Sequence, residues 1–135
     1  MLRIILGIIG GFIAWSIFWA GSDQIFRSIW PDSYGAHQFG LERAMTNNEP
    51  FATDAGILLI SIFRSIVITI MSGFLAAVIS KENWKAPVAL GILLLLFGVF
   101  VQAVAWNYLP VWYHLLFLLM LVPMTILGGK MKSTP

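Results

Sequence analysis

Four unbroken apolar stretches dominate the chain, at residues 4–20, 57–79, 88–106 and 111–127, and the polar positions collect between them. The apolar residues run continuously instead of alternating, which argues for helices and against the strands of a membrane barrel. A helix needs about 17–25 apolar residues to cross a hydrocarbon core of about 30 Å, and all four stretches meet that length. Only Asn107-Tyr108-Leu109-Pro110 separates the last two. Read as one helix they would be about twice too long for a bilayer, and Pro110 removes a backbone donor where a turn is needed. The pattern predicts an all-α integral membrane protein, one domain over residues 1–135. Its four transmembrane helices form an antiparallel bundle, with a tight hairpin between the third and fourth.

The first stretch has some features of a signal peptide: Arg3, an apolar run, and the small-residue sequence Ala20-Gly21-Ser22. A signal core is about 7–15 residues long. This run is longer and contains Trp15 and Trp19, so a retained first helix is expected. The one sizeable polar region is residues 21–56. There Ser22-Asp23 is placed to cap a short amphipathic continuation with Ile25, Phe26, Ile29 and Trp30, stopped by Pro31. From Tyr34 to Pro50 the glycines 35 and 40, Asn47, Asn48 and Pro50 predict mostly loop, and Thr53 or Asp54 is the expected N-cap of the second span.

Composition narrows the class. Of 135 residues, 59% are hydrophobic and 10% charged, where a soluble domain carries roughly a quarter charged residues. Too few polar groups exist to cover a water-facing surface, which excludes a soluble enzyme and a disordered tail. Eight basic residues and a formal charge of +2 are too sparse for a nucleic-acid-tracking stripe. Without cysteine the chain has no disulfide, thiolate metal site or Cys nucleophile.

The placement of the charges predicts orientation. If the four runs span in turn, Arg3, Lys81, Lys85, Lys130 and Lys132 fall on one side. On the other, Arg27 and Arg43 are outnumbered by Asp23, Asp32, Glu42, Glu49 and Asp54. The positive-inside rule then puts both termini in the cytoplasm, with the long 21–56 connection outside. Trp106, Tyr108, Trp112 and Tyr113 fit an outer aromatic belt, and Trp84 an inner one. A bacterial cytoplasmic membrane is the expected location.

Each span also shows a small or polar stripe at helical spacing. Gly7, Gly10, Gly11 and Ala14 mark the first, and Ser61, Ser65, Thr69, Ser72, Gly73, Ala76 and Ser80 the second. Gly91, Gly98 and Gln102 mark the third, and His114, Thr125 and Gly128 the fourth. Small residues let membrane helices approach closely, where dispersion and hydroxyl hydrogen bonds replace the missing hydrophobic drive. Gly7, Gly11, Ser65, Thr69, Gly73, Gly91 and Gly98 are the expected packing positions, within one chain or in a homodimer.

Three strongly polar side chains fall inside spans: Arg64, Gln102 and His114. Such residues are costly in a membrane and are candidate functional sites. Hairpin symmetry places Gln102 and His114 at one depth, in the outer half. Arg64 lies about 10 Å below the start of its run at 1.5 Å per residue, in the same half. Arg64 is expected to snorkel to headgroup phosphates, with an ion pair to Asp23 or anion binding as alternatives. His114 carries the side-chain type that titrates near neutrality, but a bond to Gln102 or a hydroxyl is the plainer expectation.

Catalytic signals are sparse. No carboxylate stands inside the four spans, where a proton-coupled transporter normally needs an acid or relay. His37, Glu42 and Glu49 are irregularly spaced and offer one His, too little for a metal site. Ser61 or Ser65 with His114 lacks an orienting carboxylate, and Gly10-Gly11 and Gly128-Gly129 lack phosphate-loop context. The sequence thus predicts a non-enzymatic accessory, assembly or interaction protein without cofactor, in contact with the bilayer and a protein partner or second copy. An oligomeric small-solute transporter or channel using the Arg64/Gln102/His114 level is the alternative, and a lipid-headgroup enzyme a third.

Overall fold

The computed structural model describes residues 2–49, 53–81 and 84–131; Pro50 and Lys132, used in the sequence reading, lie outside them. The described residues are helical almost throughout. Helix α1 is Leu2–Ile29, a single π-type turn covers Pro31–Gly35, and α2 is Ala36–Asn47. Then follow α3 (Ala55–Ser80), α4 (Lys85–Val104) and α5 (Val111–Lys130). Four of these, α1, α3, α4 and α5, are long and apolar enough to cross a membrane, and the chain is an integral membrane protein on that ground.

The boundaries follow local chemistry. Asp54 caps α3, its Oδ1 accepting from the backbone N–H of Gly56 and Ile57. Of the two cap residues anticipated, it is the one used. Asn48 ends α2 with φ 55°, a left-handed cap that Asn tolerates. Pro31 follows the end of α1 and opens the π-type turn, which Gly35 closes by donating to the Trp30 carbonyl at 2.8 Å.

Two expectations need correction. No new helix starts at Ser22-Asp23, because α1 continues unbroken to Ile29. Residues 36–47 are helix, not loop. In both places polar residues that looked like an exit into solvent are engaged in tertiary bonds, described below, that favour the helical backbone.

The four long helices pack as a bundle in which α3 is the most buried. Antiparallel to it runs α1: Gly7 lies on Ala76 and Ser80, Gly11 on Ser72 and Ala76, Trp15 on Thr69, and Trp19 on Ser65. The α4–α5 pair is also antiparallel, with Gly91 against Val122 and Thr125, and Gly98 against Phe117, Leu118 and Leu121. Helices α3 and α5 run parallel and meet backbone to backbone. A Cβ built on Gly73 would fall 2.1 Å from the Thr125 carbonyl oxygen, and one on Gly128 1.9 Å from that of Ile70. Only glycine permits this approach. Leu90, Leu94, Phe117 and Leu121 fill the centre with Trp15, while α1 and α5 occupy opposite corners.

Candidate functional site

At the end of the bundle where α1 and α4 finish and α3 and α5 begin, a cavity of about 340 Å³ opens between the helices. Asp23 and Arg27 of α1, Gln38 and Glu42 of α2, Arg64 of α3 and Gln102 of α4 supply its polar wall. Leu58, Phe100, Leu109 and Tyr113 are among its apolar lining.

The extended α1 and the short α2 are joined by one polar network. Asp23 is 6% exposed. Its Oδ1 accepts from the Tyr34 hydroxyl at 2.8 Å and from Gln38 Nε2 at 3.4 Å. Its Oδ2 pairs with Arg27 Nε at 2.8 Å, one helical turn along. Arg27 also reaches Glu42 and lies over the Phe39 ring, 4.8 Å from its centroid. At the far end of α2, the Tyr108 hydroxyl donates to Asn48 Oδ1 at 2.9 Å. Helix α2 is therefore tied to α1 at one end and to the α4–α5 connection at the other. Burial pushes the Tyr34 phenol above its usual range, against the lowering effect of the Arg64 charge and with help from the bond to Asp23.

Arg64 does not reach out along α3 to a membrane surface. It is 4% exposed, and its Nη1 donates to the Trp19 carbonyl at 2.6 Å and to Ser22 Oγ at 2.7 Å. The guanidinium carbon lies 4.7 Å from the centre of the Trp19 ring, within cation–π range. Because α1 continues alongside α3, its Trp19 carbonyl and Ser22 hydroxyl stand beside the guanidinium and take its Nη1 donors. Nor is Asp23 its partner. Asp23 pairs with Arg27, and no carboxylate of the described residues lies within 4 Å of Arg64.

Gln102 and His114 come together: the imidazole Nδ1 faces the Gln102 amide, and Nε2 lies 3.3 Å from the Trp106 carbonyl. The facing atoms, Gln102 Oε1 and the Trp106 carbonyl oxygen, are both acceptors, toward which the ring presents its N–H. The ring is fully buried and stacks on Trp106 at 4.5 Å. Arg64 shares the cavity wall with Gln102, whereas His114 lies behind that wall. The three anticipated residues are thus one bonded pair and one separate cation.

The packing positions are placed as follows. Gly7, Gly11 and Gly73 sit where α1 and α5 press on α3, and Gly91 and Gly98 sit where α4 meets α5. Ser65 and Thr69 accept hydrogen bonds from the indoles of Trp19 at 3.4 Å and Trp15 at 3.1 Å. The sequence reading missed this ladder. Its signal was present: two tryptophans four residues apart on α1, and two hydroxyls four apart on α3.

Among the described residues Ser65 and His114 do not form a nucleophile–base pair. Ser65 Oγ donates to the Ser61 carbonyl at 2.8 Å, and His114 is held by Gln102 and Trp106. Among the described residues no three His, Asp or Glu side chains converge as metal ligands. Glu42 pairs with Arg27, and His37 Nδ1 lies 3.0 Å from Gln38 Oε1. What the arrangement offers chemically is a buried cation beside a cavity. Comparison with protein-family models, curated proteins and solved structures finds no match for the chain.

Proposed function

We propose that this chain is a small non-enzymatic protein of a bacterial cytoplasmic membrane, acting by contact as an accessory or assembly component. Both termini face the cytoplasm, and α2 with its cavity lies on the outer side. The orientation rests on the basic residues Arg3, Lys81, Lys85, Lys130 and Lys132 at one side of the spans.

One observation carries this reading: the strongly polar side chains at membrane depth are used to join helices. Trp15, Trp19, Arg64, Gln102 and His114 each hold a hydrogen bond to another helix or to the α4–α5 connection. Of the four spans α1 leaves the largest share of its surface for a partner, its most apolar stretch being only 17% buried against 33% for α4, 39% for α5 and 50% for α3. Ile5, Ile9, Ile13 and Ile17 form an exposed ridge there at four-residue spacing. Crosslinking in intact membranes, followed by purification in mild detergent and mass measurement, tests the reading. An assembly of fixed stoichiometry, heteromeric or homodimeric, is expected, and a bare monomer would overturn it.

A second reading, an oligomeric small-solute transporter or channel, is favoured by Arg64 and Gln102 lining one cavity. It requires solute flux in proteoliposomes that falls with Arg64→Ala and His114→Ala. Flux indifferent to both substitutions removes it.

A further inference from the structure

A cation with no carboxylate of the described residues within 4 Å stands in the wall of the cavity at the α2 end. Arg64 is buried, its Nη1 is bonded to uncharged acceptors, and its Nε has no hydrogen-bond partner. Asp23 also lines the cavity, but its oxygens are engaged by Tyr34, Gln38 and Arg27. A buried charge at membrane depth is costly unless an opposite charge approaches it, so the site favours an anion.

A second cavity shows what kind of anion fits. A space of about 260 Å³ shares Trp19, Val101 and Gln102 with the first. From the Arg64 level it runs toward the middle of the bundle between α1 and α4, along Trp15, Phe97 and Phe117. Its walls are almost wholly apolar. Near α2 the wall holds Asp23 and Glu42, both paired with Arg27, and the Arg64 guanidinium, which has no such pair; toward the bundle centre the two spaces are apolar.

We propose that this pair of cavities binds an anionic amphiphile. A phosphate or carboxylate headgroup sits at Arg64, and one acyl chain lies in the groove between α1 and α4. The inference goes beyond the contact role, since an accessory protein needs no lipid site and partner capture is measured separately. Guanidinium suits both headgroups, since its planar donor fork matches their oxygens. The chain in the groove excludes water and keeps the charge pair strong.

Native mass spectrometry of the full-length protein tests this. The protein is delipidated in non-ionic detergent and then offered equal phosphatidylglycerol and phosphatidylcholine of matched chains. One phosphatidylglycerol per chain is expected, retained over phosphatidylcholine by about tenfold or more, as a charge-assisted contact gives. R64Q brings the two lipids to near parity with helical content unchanged. V101W fills the shared wall, touches none of the polar bonds, and abolishes retention of either lipid; it decides the matter if R64Q does not fold. Equal retention of the two lipids by the unsubstituted protein would overturn the proposal, as would undiminished retention by V101W. A parallel arm with inorganic phosphate distinguishes a free-anion site: Arg64-dependent phosphate binding without lipid retention also overturns it.

Discussion

Arg64 meets Trp19 twice, donating from Nη1 to its main-chain carbonyl at 2.6 Å and resting its guanidinium 4.7 Å from the centre of its indole. One residue of α1 thus supplies both a hydrogen-bond acceptor and a π face for the one charged side chain buried in α3. The same indole donates to Ser65 at 3.4 Å, so Trp19 joins the charged level to the hydroxyl stripe below it.

Removing that cation loosens the α1–α3 pair. Arg64→Ala lowers stability by about 1–3 kcal/mol, since two charge-assisted bonds and a stacked contact vanish together, offset in part by the desolvation cost of the charge removed with them. Ser22→Ala removes one acceptor and costs about 1 kcal/mol. Denaturant-induced unfolding in mixed micelles measures both, and a loss below about 0.5 kcal/mol for Arg64→Ala contradicts the assignment.

The glycines differ sharply in what they tolerate. Gly73→Ala and Gly128→Ala force a methyl into backbone oxygens 2.1 and 1.9 Å away, and no rotamer change relieves that contact. Each costs about 1–3 kcal/mol or more through separation of α3 from α5. Gly21→Ala meets nothing within 4 Å on an exposed helical face, so it is neutral or gains up to about 1 kcal/mol of helix propensity. Thermal denaturation of the three variants checks the order.

Trp15 and Thr69 form a buried bond of 3.1 Å that a double-mutant cycle isolates. Trp15→Phe and Thr69→Val are expected to couple by about 0.6–1.7 kcal/mol, the range for hydrogen bonds between membrane helices. Additive losses mean the bond contributes nothing.

Tyr34 makes the α2 clasp sensitive to alkali. Its folded phenol titrates above the ordinary value of 10.0, chiefly from burial. The unfolded chain therefore loses this proton first as pH rises. The stabilisation is complete below about pH 10 and disappears as pH climbs through the raised folded value. Tyr34→Phe costs about 1 kcal/mol at neutral pH through the lost bond to Asp23 and flattens the alkaline decline. A difference titration of stability between the two proteins, from pH 8 upward, reads this directly. An identical alkaline slope in both refutes it.

The four spans were legible because each is a continuous apolar run bounded by polar residues, and the cap of α3 could be narrowed to Thr53 or Asp54, of which Asp54 is the one used. The polar end of the bundle was not. Tyr34, Gln38 and Glu42 look like loop residues in sequence and Asp23 like a helix cap, yet they bond to one another and to Arg27, and so hold α2 against an α1 that continues to Ile29. The fate of Arg64 followed from the same omission. Ending α1 at residue 20 leaves the guanidinium facing lipid, whereas an α1 reaching Ile29 puts the Trp19 carbonyl and Ser22 beside it. The Gln102–His114 pair was legible because hairpin symmetry sets their depth without any knowledge of α2.

The contact role is tested most directly by the mass of the assembly recovered from crosslinked membranes, for the unsubstituted protein and for two surface variants. The account predicts one complex of fixed stoichiometry, lost when Ile9 and Ile13 of the exposed α1 ridge are both changed to Trp. It predicts the same complex intact with Leu119→Trp, on the exposed face of α5 at the opposite corner. A monomer from the unsubstituted protein, or a complex indifferent to the α1 substitutions, would contradict it.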